Sequence, residues 1–283
     1  MGKKLLVLVA LALQLAAAAC GSTNQPAAQP SAATLDCSVA KLNLQTSGQL
    51  TVATDSPAYD PWFSNNKPSN GKGYESAVAY AIATQLGFSN DQVKWVVEPF
   101  DSSYAPGPKK FDFDVNEISV TPDREQAVAF SKSYFDVNQA VVALKSNPIV
   151  NAHNPSDLAG YRYGDQVGTT GLAYIQSQIK PTKTPRVYNT LDDAVAALKV
   201  KQIDAIVIDT PTAAYMASQQ VPNGAVVGQF PTTGEHMGML FAKDNPLVAC
   251  VNQAIDKLST AGTLKSLQAQ YLSDYISIPV IQP

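Results

Sequence analysis

The chain has 283 residues, 45% of them hydrophobic, with 20 basic against 23 acidic side chains and two histidines. A net charge of −3 supplies no basic face of the kind that a nucleic-acid partner requires. So apolar a composition builds a packed core and excludes a wholly disordered chain.

Residues 1–19 (MGKKLLVLVALALQLAAAA) carry two lysines, an apolar run and a tail of alanines, the layout of a secretory signal. Gln14 interrupts the run, which is short for a permanent span. The ending LAAAAC resembles a bacterial lipoprotein signal, and that resemblance implies lipidation of Cys20 and anchoring in the membrane. Each buried methylene of such an anchor contributes roughly 0.8 kcal/mol. Without the signal, 18 basic residues face 23 acidic ones. The following GSTNQPAAQPSAAT is polar and aperiodic, so a flexible tether is expected within residues 20–47. Cys37 and Cys250 are the other two cysteines. In an exported chain two such residues most simply pair, and no Cys-x-x-Cys spacing points to zinc or thiol redox chemistry.

Residues 49–54 (QLTVAT) read as a strand ending at Asp55. A Pro- and Asn-rich loop leads to a helix over 74–86, stopped by Gly87. Strands follow at 93–97 and 111–121, with a short helix over 122–130 between the latter and a strand at 139–144. The pattern then restarts. A short helix at 155–160 and a strand at 161–166 precede Gly168-Thr-Thr-Gly171, which opens another helix. Thr190 caps a helix with Asp192 and Asp193 in its first turn, and an apolar strand, 203–208, ends at Asp209. A strand at 237–242 and one long helix, 247–271, complete the body. Alternating strands and helices predict βαβ units and mainly parallel sheets. Asp55 and Asp209 each terminate a strand and precede a proline by two residues. In open α/β sheets that end of a strand is where ligands bind.

The stretch FDFDVNEISVTPDRE, 111–125, alternates Phe111, Phe113 and Val115 with polar residues and then reverses parity at Ile118 and Val120. Glu117, Ser119 and Thr121 therefore face where the phenylalanines faced. Arg124 follows in the first turn of a helix capped by Thr121 and begun by Pro122. A cation there opposes the helix dipole unless it shares an anion with the free backbone amides, as in a carboxylate clamp. A surface pair with Asp123 or Asp112 is the alternative. Thr169 and Thr170 sit at another helix start and either hold the same anion or simply cap. Tyr59, Trp62, Phe63, Phe100 and Tyr104 lie in loops, where aromatics wall a pocket or fill a core. No nucleophile elbow, phosphate loop or dinucleotide fingerprint occurs, and no metal-ligand spacing, so neither a metal nor a cofactor is expected. Glu98 and Glu117 are the remaining acid–base candidates, though ligand binding or solvation suits them better.

Six segments stand in one order: TVATDSPAYDPWF, GYESAVAYAIATQLGF, FDFDVNEISVTPDREQAVAFSKSYF, VGTTGLAYI, IDAIVIDTPTAAY and GMLFAKDNPL with its following helix. In this order they are similar to the family 3 extracellular solute-binding proteins, the polar amino-acid receptors of ABC importers, over about residues 48–275. The resemblance implies an α/β chain with a two-lobed, periplasmic-binding-protein-like (type II) fold and a cleft between the lobes. Lobe 1 would span 48–134 and 236–283, and lobe 2 would span 139–230. It further implies a monomer that closes on an amino acid and passes it to a membrane permease, without covalent chemistry. By position Arg124 takes the ligand carboxylate with Thr169 and Thr170, while Asp209 and Ser119 take the ammonium. Asp55 meets side-chain nitrogen, and Tyr59 and Phe100 sandwich the ligand, with Trp62 able to replace Tyr59 because the loop is one residue longer. The family often has Ala-Gly or Gly where this chain has Asn116-Glu117. An acidic side chain thus enters the pocket and favours a cationic or amide ligand, unless a lysine such as Lys132 neutralises it. A prephenate- or arogenate-type dehydratase on the same fold is the alternative.

Overall fold

The computed structural model describes residues 35–231 and 233–282, so the expected signal 1–19 and the lipidation site Cys20 lie outside the described residues. In chain order the elements are β1 (Leu50–Thr54), α1 (Tyr74–Gln85), β2 (Val93–Val97), α2 (Phe100–Ser103), β3 (Phe113–Asp114), α3 (Pro122–Ala127), β4 (Val128–Val137), β5 (Gln139–Leu144) and β6 (Gly164–Gln166). They continue with α4 (Thr170–Tyr174), β7 (Arg186–Tyr188), α5 (Leu191–Lys199), β8 (Ala205–Asp209), α6 (Thr210–Tyr215), β9 (Gly224–Gln229), β10 (Glu235–Ala242), α7 (Leu247–Thr260) and α8 (Thr263–Leu272). Among the described residues no helix is long and apolar enough to cross a membrane.

Two α/β lobes result. In the first, a five-stranded sheet runs β2-β1-β3-β10-β4, with β1 parallel to β2 and β3 and β10 antiparallel to β3 and β4. Every residue of β1 is buried, as an internal strand covered on both faces requires. The apolar stripes of α1 (Val78, Ile82) and α7 (Val251, Ile255) pack on Leu50, Val52, Phe113 and Phe241. The second lobe holds an antiparallel sheet β8-β5-β9 and a parallel pair β6-β7. The expected parallel arrangement therefore gives way around β5 and β10. These two strands carry the chain directly into and out of the second lobe, so they enter their sheets against their neighbours.

Several elements depart from the sequence reading for local reasons. The strand expected at 111–121 is regular only over Phe113–Asp114, because Glu117 adopts a left-handed backbone with φ +54°. The parity reversal is that bend. The expected long C-terminal helix breaks at Gly262, whose φ of +74° ends α7 and starts α8. From Asp36 onward the expected flexible tether is instead fastened to the body. Cys37 and Cys250 form a disulfide, Val39–Lys41 makes a 3-10 turn, and the Gln45 N–H donates to Asp112 Oδ1 at 2.7 Å.

The C-terminal residues cross back to the second lobe. Val280 pairs with Gln229 in a parallel bridge, the Gln229 N–H donates to Pro279 O and the Ile281 N–H to Gln229 O. Ile281 is buried in the second-lobe core. Gly228 makes room for it, since a Cβ there would stand 2.7 Å from Ile281 Cγ1.

Candidate functional site

The cleft between the lobes opens beyond the C-terminal ends of β1 and β8, where Asp55 and Asp209 sit. Its empty space, with the open solvent at its mouth, is about 580 Å³. The first lobe contributes Asp55, Tyr59, Phe100, Glu117 and Arg124; the second contributes Thr169, Thr170 and Asp209. Eight of the ten residues expected at a ligand thus line one space.

Arg124 is held in place before any ligand arrives. Thr121 caps α3 by accepting the Arg124 N–H, which sets the side chain at the cleft wall. Its Nη1 donates to Ser119 O at 2.7 Å and its Nη2 to Gly168 O at 2.9 Å. The guanidinium carbon lies 5.3 Å from the Phe100 ring centre and 4.7 Å from that of Tyr104. Two of five N–H donors go to these carbonyls and the Tyr104 hydroxyl engages the guanidinium as well, which leaves donors for a ligand. Burial lowers its pKa from the ordinary arginine value, yet an arginine stays charged. Among the described residues it forms no ion pair; the two that occur are Lys132–Asp256 and Arg162–Asp204. The alternative of a surface pair for Arg124 is thereby corrected, because Asp112 caps Thr51 and Gln45 instead. A buried, planar, unpaired cation is a receptor for a carboxylate. Thr169 is committed to its own backbone, accepting from Leu172 N and donating to Gln166 O.

Opposite Arg124 stands an acidic network. Gln139 Nε2 donates to Asp209 Oδ1 at 2.6 Å, to Glu235 Oε2 at 2.9 Å and to Thr170 Oγ1 at 3.3 Å. Burial holds the Asp209 carboxyl well above the usual carboxylate range, and the neighbouring Glu235 adds to it. A cation at Asp209 would relieve both. Ser119, expected on the ligand ammonium, does not line the cleft. Its hydroxyl donates to Glu235 Oε1 and its carbonyl serves Arg124, so it positions the two charged ends from behind.

Glu117 takes the place where a glycine would relieve the backbone. Its left-handed conformation costs roughly 1 kcal/mol for a residue with a side chain. The Glu117 N–H is held by the buried Glu75, at 2.7 Å from Oε1. Glu75 also accepts the Tyr134 hydroxyl, and burial pushes its carboxyl up to about 7. Glu117 Oε2 accepts from Thr212 Oγ1 at 2.6 Å. Burial again, with Glu75 beside it, holds the Glu117 carboxyl well above the ordinary range. Lys132 does not neutralise it, being bound to Asp256 on the surface.

Asp55 is fixed by the Ser56 N–H and, at 3.1 Å, by the Phe100 N–H. Tyr59 reaches across to pack on the second-lobe core. Trp62 corrects an expectation: it is fully buried, packs edge-on against Tyr74 and Phe135 and sends its indole N–H to Thr212 rather than to the cleft. The sequence reading passed over Gln139, Asn116 and Gln166 in the lining and Glu235 behind it. Gln139 had a signal, as the only polar residue of its strand. Asn116 Nδ2 and Gln139 Oε1 are buried without a protein partner, on two residues that line the cleft.

Comparison with known proteins follows the same lines. The family model described as bacterial extracellular solute-binding proteins, family 3, matches residues 50–274. A probable histidine-binding protein of Campylobacter jejuni is 31% identical over 232 residues, covering 78% of this chain and 84% of its own. An ancestral arginine-binding protein bound to glutamine superposes with a TM-score of 0.66 at 27% identity, over 80% of this chain and 98% of that one. An ancestral amino acid-binding protein described as a precursor of cyclohexadienyl dehydratase gives 0.65 at 27%, over 80% and 95%.

Proposed function

The chain belongs to the bacterial extracellular solute-binding proteins of family 3, and on that premise we propose that it captures a cationic amino acid and delivers it to the permease of an ABC importer. The observation that carries this reading is the charge of the cleft. Three carboxylates, Asp55, Glu117 and Asp209, face a single guanidinium, Arg124. An α-amino acid matches Arg124 with its carboxylate and Asp209 with its ammonium. That leaves Asp55 and Glu117 facing the ligand side chain, where a guanidinium, ammonium or imidazolium compensates them and a carboxylate is repelled. Leu191, Val207 and Ile208 supply the apolar wall that aliphatic methylenes need. The histidine and arginine named for relatives point to the same ligand class.

In this reading lobe 1 comprises residues 48–134 and 236–283 apart from the C-terminal tail from Ile278, which packs on the other lobe, and lobe 2 comprises 139–230. The chain is exported, held at the membrane through lipidated Cys20 and monomeric, and it leaves its ligand unchanged. The dehydratase alternative draws no support from the cleft. Each cleft carboxylate is either tied to a protein donor or paired with the charge of an amino acid, and the dehydratase-related neighbour is itself described as amino acid-binding. Mass spectrometry of small molecules released from the purified protein tests the proposal. Arginine, lysine or histidine, recovered intact, is expected. Recovery of an acidic amino acid, or turnover of prephenate or arogenate, would overturn it.

A further inference from the structure

Behind Glu117 lies a hydrogen-bonded chain that joins the two lobes. Trp62 Nε1 donates to Thr212 Oγ1 at 2.7 Å, and Thr212 Oγ1 donates to Glu117 Oε2 at 2.6 Å. Trp62 and Glu117 belong to the first lobe, whereas Thr212 sits in the first turn of α6 in the second. Trp62 and Thr212 are both buried, at 0% and 2% exposure, so water competes for neither. The polarity of the chain is forced. An indole N–H can only donate, so the Thr212 oxygen must accept there. Its single proton is directed at Glu117 Oε2. In this arrangement Glu117 Oε2 is the acceptor.

Glu117 is pinned from its other side as well. Its backbone N–H is bound by Glu75 Oε1, and its φ of +54° turns the side chain toward the cleft. Main chain and one carboxylate oxygen are both held, and the second oxygen is left for whatever occupies the cleft. We propose that Thr212 is a positioning residue that couples lobe closure to ligand choice: only when the lobes close does its hydroxyl lock Glu117 as an oriented acceptor for a cationic ligand side chain. The inference rests on the cationic-amino-acid reading and adds to it the residue through which closure and selectivity are linked. A ligand that needs an ionised Glu117 gains from the closed state beyond what its α-amino and α-carboxylate groups supply. That differential affinity is what shifts a two-state equilibrium. A neutral side chain gains less, because it does not require the ionised form.

The hydroxyl of Thr212 also works in the direction that the coupling needs. It favours the ionised Glu117 against the burial that disfavours it. A valine at 212 keeps the shape and removes the hydroxyl that bridges the lobes, leaving Glu117 with only the Trp62 side chain of its own lobe as a donor.

The test measures arginine and glutamine affinity by calorimetry for the wild-type protein, Thr212→Val, Thr212→Ser and Trp62→Phe. Thr212→Val is expected to weaken arginine about tenfold to a hundredfold, the size of a lost hydrogen bond to a charged group, and glutamine several-fold less. Thr212→Ser should retain the wild-type ratio. Trp62→Phe, which frees the hydroxyl to rotate away, should lower the ratio severalfold and carries the test alone if Thr212→Val fails to fold. A ratio unchanged in both Thr212→Val and Trp62→Phe, or equal losses for both ligands, would overturn the coupling. A wild-type protein that prefers arginine while its variants keep the ratio defeats this inference alone. One that binds neither ligand defeats the proposed function and the inference together.

Discussion

Arg124 reaches both lobes with one side chain, donating to Ser119 O on its own side and to Gly168 O across the cleft. Arg124→Ala removes the carboxylate receptor and leaves a ligand's charge unpaired in a buried site, a loss of about 2–5 kcal/mol. Thermal-shift titration with arginine should then show no ligand-induced shift at millimolar concentration. The unliganded melting temperature should fall by only a few degrees, since about 1 kcal/mol moves a body of this size by roughly 2–4 °C. Glu75 predicts a pH dependence. Burial raises its carboxyl from 4.5 to about 7 in the folded state, so between those values the folded protein holds a proton that the unfolded chain has released. The stability that this supplies is complete below pH 4.5 and lost as pH rises through about 7. Unliganded protein should therefore melt higher at pH 5 than at pH 8, and Glu75→Gln should flatten that slope in a melting series. Arginine affinity should run the other way, rising with pH, because a cationic ligand displaces protons from the buried carboxyls around it. At this scale Asp55, Arg124 and Asp209 were legible because each stands at a strand end or a helix start. Ser119 and Trp62 were misplaced because parity and loop composition indicate a side, not the hydrogen bond that captures a side chain once it is there.

The elements that hold the lobes in register are short. Val280 and Ile281 add an edge to β9, and Gly228 admits them by lacking a Cβ. Gly228→Val forces the tail away or strains β9, at a cost of about 1–3 kcal/mol, read as a lower midpoint in urea with ligand binding retained. The Cys37–Cys250 bond fastens the N-terminal segment to α7. Replacing both cysteines by serine should cost about 2–4 kcal/mol and expose the segment around Val39–Lys41 to proteolysis without altering the cleft. β1, β5 and β8 were legible as apolar runs bounded by turn residues. β7, β9 and most of β4 were not. β7 and β9 lack a strong apolar period, with two exposed residues in β7 and several half-buried ones in β9. They are strands because a neighbour supplies the hydrogen bonds, which is information held in the tertiary structure.

At the scale of the whole molecule, the lobes meet through a set of charged and polar groups as well as through apolar contacts such as Tyr59 on the second-lobe core. Arg124 to Gly168, Trp62 to Thr212 to Glu117, and Ser119 through Glu235 and Gln139 to Asp209 all converge on the cleft. In the proposed reading a cationic ligand answers the surplus of negative charge at this interface, which makes the ligand part of the seam. The two-lobed architecture could be read from the ordered segments of the sequence, but the seam could not, because its partners lie on segments far apart in the chain. Calorimetric titration with arginine, lysine, histidine, glutamine and glutamate at pH 7.5 bears on this account most directly. A cationic amino acid should bind tightest, glutamine more weakly, and glutamate not measurably. Glutamate binding as tightly as arginine or tighter would contradict it.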